Sequence, residues 1–171
     1  MNQQNLATIT NKLCTAAGCL VPPIEVVKIA RHLRVKVYAE KLPEDISGIL
    51  DVRNEPVILI NKDHALHRQR FSIAHELGHF QLHHLMGIIH VDKKSYYRDS
   101  KSAEGLDDIE IAANKFAAEL LMPEAMIRSE LEKHDDFIDM DEDMVAEMAK
   151  KFNVSTTAMG FRIQNLGYSW L

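Results

Sequence analysis

His75, Glu76 and His79 form the pattern most suited to chemistry in this chain, within the run His75-Glu76-Leu77-Gly78-His79. On a helix, residues four apart lie on one face, so the two imidazoles can reach one metal ion. Glu76 lies beside that face, close enough to take a proton from water at the metal. Zinc suits such a set: it accepts neutral imidazole, and it brings the pKa of its water towards ~7. A carboxylate that accepts this proton can later pass it to a leaving amine. A catalytic zinc also needs a third protein ligand and an open position. Downstream, Glu110-Ile111-Ala112-Ala113-Asn114 offers two polar residues four apart. Glu110 is the candidate ligand, and Asn114 the candidate hydrogen-bond partner that orients a ligand imidazole. Glu104, Asp107 and Asp108 compete by proximity. Only Glu110 lies within a clear apolar helix pattern with a polar partner one turn on.

These residues need elements to hold them. Positions 70–85 are continuously compatible with a helix, part of a stretch from about Asp63 to Met86 that Gly87 is placed to end. Phe71, Ala74, Leu77, Gly78, Leu82 and Leu85 can form its buried stripe. Gly78 costs ~1 kcal/mol against alanine inside a helix, which a close neighbour would explain. Leu106–Leu121 is again helical, and Pro123 closes it and opens another helix. Upstream, Leu6, Ile9, Leu13, Ala16 and Leu20 recur at helical spacing. Pro22 and Pro23 are read as the first turn of a second helix, with Val26, Val27, Ile29, Ala30 and Leu33 as its apolar positions. Val35–Ala39, Ile46–Val52 and Pro56–Asn61 read as strands, the last two a hairpin across Arg53, Asn54 and Glu55. The expected fold class is α+β, mostly helical with a small three-stranded antiparallel sheet. Residues 88–104 read as a long loop. The acidic stretch Asp135–Asp143 reads as a solvated turn that starts a helix. Two last helices run from Met144 to Phe152 and from Ser155 to Leu166, with Ser155 as a cap.

The chain has 171 residues, 46% hydrophobic and 26% charged, enough for one domain with a real core. Residues 1–171 are read as a single domain, with a core over about 22–130 and a helical pair over about 141–166. The net charge of -5 argues against nucleic-acid or anionic-membrane binding. No signal peptide or membrane-length apolar run is read. Cys14 and Cys19 read as free, half-buried thiols of a reducing cytoplasm.

The run Arg70-Phe71-Ser72-Ile73-Ala74-His75-Glu76-Leu77-Gly78-His79 resembles the signature of the ImmA/IrrE family of metallopeptidases. Residues Glu110 to Pro123 (EIAANKFAAELLMP) resemble its second hallmark, and Ile46-Ser47-Gly48 with Ile58-Leu59-Ile60-Asn61 match more weakly. The resemblance covers roughly residues 22–166. It implies a compact zincin-like fold, zinc held by His75, His79 and Glu110, and Glu76 as general base. It also implies an intracellular endopeptidase that cleaves a helix-turn-helix repressor encoded nearby, in mobile elements or stress responses. The alternative is a non-proteolytic regulatory or toxin–antitoxin-type partner on the same fold. The chain reads as the minimal catalytic form.

Other residues carry weaker signals. His83 and His84 could extend the polar face or assist a transition state, but such residues more often cap or solvate a helix end. Tyr96, Tyr97 or Arg98 in the long loop could stabilise an oxyanion. Val57–Ile60 could be an edge strand that aligns an extended substrate, or an ordinary core strand. The last two helices are spaced like a helix-turn-helix unit, but Arg162 is the one basic residue between Ser155 and Leu166. That favours a structural pair or a protein-docking surface over DNA binding.

Overall fold

The structure is a computed structural model, and it describes residues 3–83, 89–93, 104–133 and 141–168. Its elements are α1 (Gln3–Ala17), α2 (Val26–His32), β1 (Lys36–Glu40), β2 (Ile46–Asp51), β3 (Val57–Asn61), α3 (Leu66–His83), β4 (Ile89–Lys93), α4 (Glu104–Leu121), α5 (Glu124–Leu131), α6 (Glu142–Phe152) and α7 (Thr156–Asn165). The class is α+β and mostly helical, as expected.

The sheet corrects the expectation of three antiparallel strands. It has four strands in the order β1-β3-β2-β4, and it is mixed. The hairpin β2–β3 is antiparallel, with Leu50 opposite Ile58. β1 instead runs parallel to β3, with Val37 level with Ile58. Residue chemistry explains the order. Val57, Ile58, Leu59 and Ile60 are all apolar, which suits a strand flanked on both sides. β1 is exposed at four of its five positions and takes the edge. β3 is therefore an inner strand, and not the edge strand considered for substrate alignment.

β4 is the second correction, because it lies inside the stretch read as a loop. It pairs antiparallel with β2, Leu50 opposite His90, with a register shift between Ile46 and Gly48. Its sequence alternates, Ile89-His90-Val91-Asp92. Ile89 and Val91 are exposed, while His90 and Asp92 are part-buried.

α3 lies across the sheet and packs against α4 on its other side. Every residue from Ser72 to His79 is buried as a result. Gly78 is where the two helices touch: a Cβ there would stand 3.1 Å from the Cα and carbonyl oxygen of Ala113 and 3.2 Å from the Phe116 ring. Asn61 organises the approach to α3. Its Nδ2 donates to the carbonyls of Leu42, Pro43 and Ile46, and its Oδ1 accepts from the Asp63 amide. Arg70 donates to the carbonyls of Ile24 and Asn153, tying α3 to the chain before α2 and to the end of α6.

At the N-terminus, α1 ends at Ala17, and Leu20 is 63% exposed. Its buried side is Leu6, Thr10, Leu13, Cys14 and Ala17, because Thr10 satisfies its hydroxyl on the Leu6 carbonyl. Pro22 and Pro23 lie in the bend before α2 and not within its first turn. Cys14 and Cys19 are free and fully buried. Gly87 and residues 135–140 of the acidic stretch lie outside the described residues. Asp141 caps α6 by accepting from the Met144 amide, and Ser155 caps α7 through Ala158, as its sequence predicts. Arg162 is buried in an ion pair with Glu119 and also donates to the Met122 carbonyl at 3.0 Å. It joins α7 to α4, so the one basic residue of that helix is not available to a phosphate. No helix among the described residues is long and apolar enough to cross a membrane.

Candidate metal centre

Three elements meet where α3 passes the start of α4 beneath β4. The helical spacing of His75 and His79 brings their Nε2 atoms to 3.0 Å. The Glu110 carboxylate faces both, with Oε2 at 3.2 Å from His75 Nε2 and Oε1 at 3.2 Å from His79 Nε2. Ligand atoms of a tetrahedral zinc with bonds of 2.0–2.1 Å stand about 3.3 Å apart, so a set closed to 3.0–3.2 Å needs only a slight expansion. Both imidazoles are buried, whereas the Glu110 side chain is 31% exposed, so the group is open on one side. The two nitrogens and the carboxylate therefore fit a divalent cation such as zinc.

Asn114 lies one turn beyond Glu110, and His75 Nδ1 is 3.0 Å from its Oδ1. An amide oxygen only accepts, so Nδ1 carries a hydrogen, and in the neutral ring Nε2 is left with its lone pair for the shared point. Burial is the largest influence on His79 and, with the nearby His90 and His75, brings its pKa down to about 4 against the Glu110 hydrogen bond. A neutral imidazole is the form that can act as a ligand. Burial opposes charge on His75 too, but hydrogen bonding to Glu110 and the nearby Glu76 and Asp92 raise it overall. Burial also opposes the charge of Glu110. The hydrogen bonds from His75, His79 and His90 outweigh that and hold its carboxyl far below the usual range.

Glu76 lies between α3 and the sheet, with a carboxylate oxygen within 4.8 Å of a His75 ring nitrogen, and its side chain is fully buried. Burial raises its pKa, opposed by the hydrogen bond from His90. A buried carboxyl with a raised pKa suits a group that must take up and release a proton. A Cβ on Gly48 of β2 would stand 3.0 Å from Glu76 Oε1, so glycine at this position makes room for the carboxylate.

His90 was not singled out in the sequence. Its Nδ1 is 3.1 Å from Glu76 Oε2 and its Nε2 is 3.0 Å from Glu110 Oε1. Its ring packs on His79 with centroids 3.8 Å apart. Burial opposes its charge, but the two carboxylates raise its pKa to about 10. The alternation of Ile89 to Asp92 was the available signal, since it places His90 and Asp92 on one face of a strand.

His75, Glu76 and Asp92 form a second group close enough to share an ion. Asp92 is already 3.7 Å from Arg68, whereas Glu110 faces both imidazoles, so the first group is the better-prepared one. Of the competitors to Glu110, Asp108 is exposed on α4. Glu104 and Asp107 belong to the same helix, but their side chains, like that of His83, lie outside the described residues. His84, Tyr96, Tyr97 and Arg98 lie outside them altogether.

The chain is 37% identical over 103 residues to the radiation response metalloprotease IrrE of Deinococcus radiodurans, covering 60% of this chain and 29% of that protein. It is 29% identical over 102 residues to an uncharacterized immunity region protein 2 of Bacillus phage phi105, covering 58% of this chain and 60% of that protein. The chain thus spans less than two thirds of either relative. A Mycobacterium tuberculosis transcriptional regulator has a similar fold, with a TM-score of 0.69 at 15% identity, over 94% of this chain and 46% of that one. Residues 30–164, which include every residue of the candidate centre, match the IrrE N-terminal-like domain of Peptidase M78, and the chain belongs to that family.

Proposed function

We propose that the chain is a zinc-dependent endopeptidase of zincin-like fold, with His75, His79 and Glu110 as metal ligands and Glu76 as general base. The convergence of two imidazole nitrogens and a carboxylate within 3.2 Å of one another, beside a buried glutamate, is the observation that carries this reading. Membership of a peptidase family supports it.

Zinc bound there would act as a Lewis acid towards the scissile carbonyl and acidify the attacking water. Glu76 accepts the proton of that water, and its raised pKa favours holding it until the amine leaves. Asn114 fixes the tautomer and orientation of His75. Among the described residues β4 is an edge strand beside the centre, so an extended peptide can add to it by backbone pairing. This moves the role considered for Val57–Ile60 onto Ile89–Lys93.

The proposed substrate is an intracellular regulatory protein, a helix-turn-helix repressor encoded beside the chain. The family resemblance and the names of the two relatives, one a radiation response protein and one from a phage immunity region, support a regulatory target. The test pairs metal content with cleavage in wild type and Glu76→Gln. One zinc per chain in both, with cleavage by wild type alone, is the expected result. Zinc in both and cleavage by neither would favour a metal-dependent binding protein. No zinc in either would remove the metal reading.

A further inference from the structure

We propose that His90 is a positioning residue that sets both carboxylates of the centre, Glu76 through Nδ1 and Glu110 through Nε2. This rests on the metal centre described above but concerns a residue outside the motifs that define it. One ring bridges a glutamate on α3 and a glutamate on α4, at 3.1 Å and 3.0 Å.

Three features make the ring a fixed strut. Its backbone is held by antiparallel pairing to β2, where His90 is opposite Leu50, a fully buried residue. The ring lies against His79, tilted by 35°, so it cannot swing towards α3 without displacing a ligand. Its side chain is only 20% exposed and stands beside a Glu76 with no exposure at all.

The two contacts have different consequences. Glu76 is bounded on its Oε1 side by Gly48 and on its Oε2 side by His90, so His90 helps to set where the carboxyl lies. The Glu110 contact orients a ligand. A carboxylate that binds a cation through one oxygen can keep its other oxygen for a donor, and Glu110 Oε1 is the oxygen that His90 reaches. Loss of such a partner commonly costs about 10–100-fold in metal affinity or activity.

Amide side chains separate the contacts, because the asparagine nitrogen mimics Nδ1 of histidine and the glutamine nitrogen mimics Nε2. Zinc affinity would be measured by competition with a chromophoric chelator for wild type, His90→Ala, His90→Gln and His90→Asn. Turnover would be measured on the helix-turn-helix protein encoded beside the chain. His90→Ala is expected to bind zinc about 10–100-fold more weakly and to lose kcat with little change in KM. His90→Gln is expected to regain zinc affinity without kcat. His90→Asn is expected to regain kcat at saturating zinc without regaining affinity. A merely structural role would lower thermal stability in all three variants alike and give no such split. Zinc affinity of His90→Ala equal to wild type, or Gln and Asn both behaving as Ala, overturns the proposal. If wild type binds zinc but cleaves nothing, the peptidase reading fails, and the zinc arm still decides: restoration by Gln supports the Glu110 contact, and no loss in Ala overturns it.

Discussion

A Cβ placed on Gly48 would stand 3.0 Å from Glu76 Oε1 and 3.3 Å from its Cγ. The strand and the glutamate are in direct contact, and His90 lies against the glutamate's other oxygen. Gly48→Ala is therefore expected to shift the Glu76 carboxyl by a few tenths of an ångström. Misplacing a reacting group by 1 Å can cost ~100-fold, so a loss of roughly tenfold in kcat is expected here. Zinc content should stay at the wild-type level, because a Cβ on Gly48 meets Glu76 and none of the three proposed ligands. Full activity in this variant would show that the carboxyl position is not set by the sheet.

Gly78→Ala tests the approach of α3 and α4. Alanine gains ~1 kcal/mol of helix propensity. Its Cβ meets Ala113 backbone at 3.1 Å, which can yield only if the helices part, and such overpacking costs about 1–3 kcal/mol. The net expectation is a loss of about 1 kcal/mol, a melting temperature lower by roughly 2–4 °C. A higher melting temperature would mean that the helices separate freely.

Asn114→Ala removes the acceptor for His75 Nδ1. Asn114 is on the exposed side of α4, so the metal-free chain should melt as wild type does. Zinc affinity should fall about tenfold or more, read by the same chelator competition. Unchanged affinity would show that His75 needs no orienting partner.

The Glu119–Arg162 pair is buried on both sides, at 4% and 6% side-chain exposure. Arg162→Met leaves the Glu119 carboxylate without its partner, which is expected to cost about 3–5 kcal/mol in urea unfolding. Adding Glu119→Leu should recover much of that loss, because no uncompensated charge is then buried. Failure of the double variant to recover would show that the pair contributes more than mutual neutralisation.

Burial, with smaller contributions from Cys19 and Glu119, raises the Cys14 thiol from about 9 to about 11. The folded chain holds the neutral thiol where the unfolded chain ionises. The associated stability is fully present below pH 9 and is lost as pH rises through about 11. Alkylation by iodoacetamide, followed by mass spectrometry, should leave Cys14 unmodified in the folded chain at pH 8. Unfolding measured at pH 8 and pH 11 should lose less stability in Cys14→Ala than in wild type. Rapid alkylation at pH 8 would contradict both expectations.

Helical spacing alone was enough to pair His75 with His79 and Glu110 with Asn114, because residues four apart share a face whatever surrounds them. The same local logic located the caps at Ser155 and the β2–β3 hairpin. The close neighbour that Gly78 implies is Ala113. Where several partners were open, local pattern was a poorer guide. β1 lies beside β3 and not in an antiparallel sheet of three, because strand order depends on which strand is apolar enough to be buried on both sides.

His90 shows the remaining limit. Its strand is five residues long in a stretch with little apolar content, and its importance comes from two glutamates on different helices. Nothing in the spacing of His90 to Glu76 or Glu110 links the three. The amino-acid sequence by itself determined the residue types of the candidate metal centre, their helical spacing and the family of the chain. Only the tertiary structure decided that α4 brings Glu110 to the histidines and that β4 brings His90 to both glutamates. The first set depends on contacts within one helical turn, and the second on long-range packing of α3 between the sheet and α4.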